Sequence, residues 1–128
     1  MTQVAAILAV VLLVAVLVFQ AGLALGAPWG SAAWGGQRSG VLPMGLRIAS
    51  GLAAVAIYPL IILAVLAAAD LVQVPWLADN RTPIMWGLTV LLGLGAVMNF
   101  LSRSRTERLW GPVALTIAMC CALVAIRI

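Results

Sequence analysis

The chain has 128 residues, 66% of them apolar, with seven Arg, three acidic side chains, no Lys and no His. An ordinary soluble domain is about 25% charged, which here would mean roughly 32 such residues. Ten charges cannot cover a water-facing surface, and the mean hydropathy of +1.23 points the same way. The counts exclude a soluble domain, an imidazole base, His-ligated metals and Lys Schiff-base chemistry.

The first apolar run, 4–26, contains only Gln20 as a strongly polar member. A cleaved signal peptide would need a basic start and a shorter apolar stretch. Met1-Thr2-Gln3 has no basic side chain, and Pro28 closely follows the small pair Gly26-Ala27, so a retained span is expected. Gly22-x-x-x-Gly26 predicts close helix–helix approach.

Residues 26–43 hold five glycines and two prolines, which excludes a continuous helix. The stretch nonetheless carries one charge, Arg38, beside Gln37, and two tryptophans, Trp29 and Trp34. Irregular backbone at membrane depth needs protein or cavity water to satisfy its polar groups. Two readings follow: an interfacial connector, or a lid over a small pocket.

The second run, 45–69, carries Arg47 and Ser50 near its start and Tyr58-Pro59 midway, where a kink is expected. The connection 70–83 holds Asp70 and a polar turn, Asp79-Asn80-Arg81, with a local ion pair in reach. The third run, 84–101, contains Thr89 and Asn99, with Gly87, Gly93, Gly95 and Ala96 as packing residues. Arg103, Arg105 and Arg108 then form the one dense basic cluster, read as a topology anchor meeting anionic headgroups. In the last run, 109–126, Ala114, Ala118 and Ala122 make a small-residue stripe. Cys120 and Cys121 are adjacent, so they point to different sides of a helix and read as packing residues. The five tryptophans fall at predicted helix ends, where an amphipathic ring meets the headgroups.

The shortest runs, 18 residues, reach about 27 Å at a rise of about 1.5 Å, close to a hydrocarbon core of about 30 Å. The prediction is an all-α polytopic membrane protein with four transmembrane helices in an up-down bundle, forming one domain. Five Arg lie at loops 27–44 and 102–108 against two elsewhere. Basic short loops favour the cytoplasm, which puts both termini outside a bacterial cytoplasmic membrane. Arg without Lys, in an Ala/Val/Leu/Gly background, suggests a GC-rich bacterial genome.

The three carboxylates divide between opposite sides, no metal-ligand set or phosphate loop exists, and no basic stripe suits nucleic acid. No enzyme, cofactor or metal site is expected. Gln20, Arg47, Ser50 and Asn99 fall at one predicted depth beside Trp29, Trp34, Gln37 and Arg38. They form the candidate ligand- or partner-binding set, with Arg47 either reaching the headgroups or held by Gln20, Asn99 and the loop. The expected function is a non-enzymatic accessory protein binding a lipid, a membrane-protein partner or a second copy through this loop. The alternative is an oligomeric small-solute transporter or channel, although no acidic residue lies within a span to couple it.

Gly26-Ala-Pro-Trp-Gly30, Ala33-Trp-Gly-Gly36, Leu42-Pro43, Leu46-Arg-Ile-Ala-Ser50 and Asn99-Phe-Leu-Ser-Arg-Ser104 with Glu107-Arg108 resemble a group of uncharacterised small four-helix bacterial integral membrane proteins. The resemblance spans nearly the whole chain, and the first-loop string is its most specific part. It implies the four-helix fold and singles out the first loop, and it brings no activity.

Overall fold

A computed structural model describes residues 1–128, and it is all helix and turn, without a strand. Helix α1 is Thr2–Ala24; α2, Met44–Leu52, continues through a π turn, Ala53–Ile57, into α3, Tyr58–Ala68. Helix α4 is Arg81–Phe100, preceded by a 3₁₀ stretch, Pro75–Asn80. A single turn, α5 at Arg105–Arg108, leads into α6, Trp110–Arg127. Four rods of 23–26 residues are thus long and apolar enough to cross a membrane, and the chain is a multi-pass, four-helix bundle.

The rods pack as a ring: α1 against α6, α6 against α4 along most of their length, and α3 against α4 and α1. The first and third connections meet at one end, and both termini lie at the other. The terminal half is solid. Ala5, Ala6 and Ala9 let α1 approach closely, and Leu13, Val65, Met85, Ile117, Cys121 and Val124 fill the centre. Both cysteines are buried and unbridged, as packing residues should be.

Local chemistry moves two boundaries, and the kink of the second rod, from where the sequence suggests. Helix α1 stops at Ala24 because Gly26 takes φ +97°. There the Ala27 N–H reaches Gly22 O at 2.9 Å and the Gly26 N–H reaches Leu23 O at 3.2 Å, a Schellman ending. Helix α4 starts at Arg81 and not at 84, since Pro83 in a first turn has no hydrogen bond to lose. In the second rod the distortion precedes Pro59. The Tyr58 N–H bonds back five residues to Ala53 O, so the irregularity is a π turn.

The outer connection also differs. Arg81 pairs with Asp70, eleven residues back across the connection, and not with its neighbour Asp79.

Candidate ligand-binding cavity

The first loop is folded, and it closes the bundle's lower end. Two 3₁₀ turns, Gly30–Ala32 and Trp34–Gly36, are stapled by the Gly30 N–H to Gly40 O bond at 2.8 Å. Leu23, Ala33 and Leu42 bury one another against Phe19 and Leu46, a small second core that holds the loop to α1 and α2. The Trp34 indole N–H donates to Ser50 Oγ at 3.0 Å, and Ser50 is fully buried. Trp29 stacks on Phe19, ring centroids 5.9 Å apart.

Gly22 has a different task from the helix seam that its spacing suggested. Its α-carbon faces the Trp29 ring, which occupies the space a side chain would need. Gly26, the other half of the pair, ends the helix. Arg47 is also differently employed. Its Nε donates to Ala24 O at 3.1 Å, supplying a partner for a carbonyl that the end of α1 leaves free. It is not held by Gln20 and Asn99.

The third connection locks the first. Ser104 caps α5 by accepting from the Glu107 N–H at 3.4 Å. The buried Glu107 carboxylate accepts from the Gly35 N–H at 3.2 Å and from the Ser102 hydroxyl at 2.9 Å. Ser104 also donates to Ser31 O. Gly36, at φ +67°, lies against the Ser104 side chain, so both its conformation and the space require glycine. Sequence reasoning missed Glu107, and the Ser104-x-x-Glu107 capping pattern was the available signal.

Above this floor the loop-end half of the bundle is hollow. A cavity of about 340 Å³ lies among α1, α3, α4, α6 and the loop residues Ala32 and Ala33. Its walls are mostly apolar, with Gln20, Tyr58, Asn99 and the indole N–H of Trp110 as the side-chain groups able to hydrogen-bond among them. Gln20 Oε1 is buried without a partner. No hydrogen bond within the protein uses the Tyr58 hydroxyl or the Asn99 amide. A second hollow, a surface groove of about 470 Å³ between Trp29, Ser31, Thr106 and Leu109, lies behind Phe19 and Trp110. Those two rings stand 4.7 Å apart and form the partition between the hollows.

Of the sequence candidates, Gln20 and Asn99 line the cavity. Trp34, Ser50 and Arg47 hold the loop and helix ends below it, Trp29 walls the groove, and Gln37 and Arg38 are exposed on the loop. Tyr58 completes the polar set; in the sequence it stands out only as part of a kink. Of the helix-three glycines, Gly95 borders the cavity; Gly87, Gly93 and Gly95 all have open space where a side chain would be, so they do not form a tight seam. Arg103, Arg105 and Arg108 are exposed around α5.

The cavity offers neutral donors and acceptors without a carboxylate, a cation or a thiol. Chemically it can hold and orient a neutral molecule. This places the chain among polytopic membrane proteins with an intrabundle cavity. Comparison with family models, with curated proteins and with solved structures returned no match to it.

Proposed function

We propose that this chain is a non-enzymatic membrane protein that binds a membrane-soluble small molecule or lipid in the cavity beneath its first loop. One observation carries this reading. Gln20, Tyr58 and Asn99, from three different rods, face one apolar void, and none has a protein partner there. Polar groups inside a membrane bundle are costly and normally paired. Three unpaired groups around one void are what a binding site keeps for its ligand. The two locked loops support the reading, because they give the cavity a fixed floor. We further take the Arg-bearing loops as cytoplasmic, with the termini outside, in a bacterial cytoplasmic membrane; five of the seven Arg lie near that end of the bundle.

Native mass spectrometry of the protein, extracted gently from its own membrane, tests this. The expected result is a stoichiometric small molecule retained by the wild type and lost from a Gln20→Leu, Asn99→Leu variant. A bare chain overturns the reading. So does a stoichiometric larger protein bound equally by both forms, which would make the surface, and not the cavity, the working part.

A further inference from the structure

We propose that the cavity is entered sideways from the bilayer, between the π turn of the second rod and α4, and that its ligand is an uncharged single-chain amphiphile with a hydroxyl head. This rests on the binding role proposed above and adds the route and the chemical class.

The route follows from two residues that are both cavity wall and outer surface. Ile57 is 54% exposed and Leu91 is 58% exposed, yet both line the void. A side chain does both only where the wall is one residue thick. They stand on facing rods, and packing explains the gap. The second rod rests on α4 through α3, whereas α2 and the π turn rest on α1. The extra residue of the π turn and the missing N–H of Pro59 interrupt the regular helix at this level. The other sides are closed. Helix α6 packs on both α1 and α4, the loop residues Ala32 and Ala33 form the floor, and Phe19 and Trp110 close off the groove. Gly95 widens the space inside, since nothing stands within 4 Å of where its side chain would begin. The opening therefore faces lipid tails, and a ligand using it must already be dissolved in the membrane.

The head chemistry follows from the polar set. Gln20 and Asn99 each offer an amide donor and acceptor, and Tyr58 offers a hydroxyl. A charged head would lose its water here without gaining a counter-ion, because no charged side chain lines the cavity and Arg47 lies outside it. A hydroxyl can accept from the Gln20 or Asn99 amide N–H and donate to the Asn99 carbonyl oxygen or the Tyr58 phenol oxygen. The polar groups Gln20 and Asn99 lie toward the loop end, and Val16, Ile61 and Ile117 lie deeper in the bundle. The head therefore points to the loop and the tail to the bundle centre. A volume of about 340 Å³ is more than twice the ~150 Å³ that holds a benzene ring, which suits one short chain.

The test uses the full chain in phosphatidylcholine vesicles with dodecanol carrying a mid-chain diazirine, irradiated and mapped by peptide mass spectrometry. Adducts are expected on Leu92, Gly95 or Asn99, competed by plain dodecanol and not by dodecyl phosphate. An Ile57→Trp, Leu91→Trp variant should lose these adducts to background, and Ile57→Phe, Leu91→Phe should lose part of them. Both sites face lipid, so larger side chains there leave the core intact, which an unchanged unfolding midpoint verifies. A Thr106→Trp variant, blocking the groove, should label like wild type. Full labelling of the plugged variants overturns the lateral route while leaving the binding role standing, and loss on Thr106→Trp assigns entry to the groove instead. Equal competition by dodecyl phosphate overturns the neutral head. Absence of cavity adducts in the wild type overturns the binding role itself.

Discussion

The Gly35 N–H donates to Glu107 Oε1 at 3.2 Å across 72 positions of sequence, and through that bond one buried carboxylate joins the first loop to the third. The remaining carboxylate oxygen takes the Ser102 hydroxyl, and the same residue's N–H closes the cap on Ser104. The floor of the cavity is therefore fastened at the loop end of the bundle, at the start of the fourth rod.

Removing that carboxylate should loosen the floor. Hydrogen bonds to charged groups contribute about 1.5–3 kcal/mol, so Glu107→Ala is expected to cost about 2–3 kcal/mol. Glu107→Gln should cost less, since one oxygen still accepts. Cleavage by trypsin after Arg38, on the exposed part of the loop, should quicken in the same order. An unchanged midpoint and cleavage rate in Glu107→Ala would show that the loop is held elsewhere.

Trp34 and Ser50 should behave as a coupled pair. Trp34 sits at φ +52°, a left-handed conformation costing a bulky residue about 1–2 kcal/mol. Its indole bond to the fully buried Ser50 hydroxyl, at 3.0 Å, offsets that strain. Trp34→Phe and Ser50→Ala should each destabilise by about 1 kcal/mol. The double variant should lose less than the sum, because both remove one interaction. Strict additivity in a thermal double-mutant cycle would mean the bond carries no net stability.

Much of this was legible in sequence, and what was hidden has a physical reason. Long apolar runs fix the four rods because a bilayer demands them, and Gln20 and Asn99 stand out because polar groups inside spans are rare. Depth can be read from position in a run, but the face a residue occupies cannot. The depth of Arg47 follows from its position at the start of the second run, yet its partner is a helix-end carbonyl, invisible until the end of α1 is known. The Gly22/Gly26 spacing suits a helix seam as well as it suits a tryptophan ring, and only the folded loop decides between them. Tyr58 was masked by its neighbour Pro59, whose effect on the rod is the more familiar one. Glu107 sits among Arg103, Arg105 and Arg108, and the net charge of that cluster hides the Ser104-x-x-Glu107 capping pattern within it.

Gly22 supplies a further check on the loop's seat. A methyl group there would run into the Trp29 ring. Gly22→Ala should therefore push Trp29 off Phe19 and cost about 1–3 kcal/mol, typical of overpacking. A change in tryptophan emission should accompany it, and that change should shrink in a Trp29→Leu background. An Ala substitution that leaves both stability and emission unaltered would show that the ring does not rest on α1.

Gln20 separates a binding role from a structural one most sharply. Its Oε1 is buried and unpartnered, and an unsatisfied buried polar group costs about 1–3 kcal/mol. If the amide served the fold, Gln20→Leu would destabilise the protein. If it is kept for a ligand, the same change removes a liability and should raise the unfolding midpoint of the ligand-free protein. It should also abolish the stabilisation that added dodecanol gives the wild type, since a ligand that binds only the folded state raises its stability. The expected pattern is a gain in intrinsic stability together with a loss of ligand response, a trade common where a site holds strain or unmet polar groups for function. Thermal unfolding of both forms in detergent, with and without dodecanol, reads both quantities. A midpoint that falls on Gln20→Leu would assign the amide to the fold and remove it from the site.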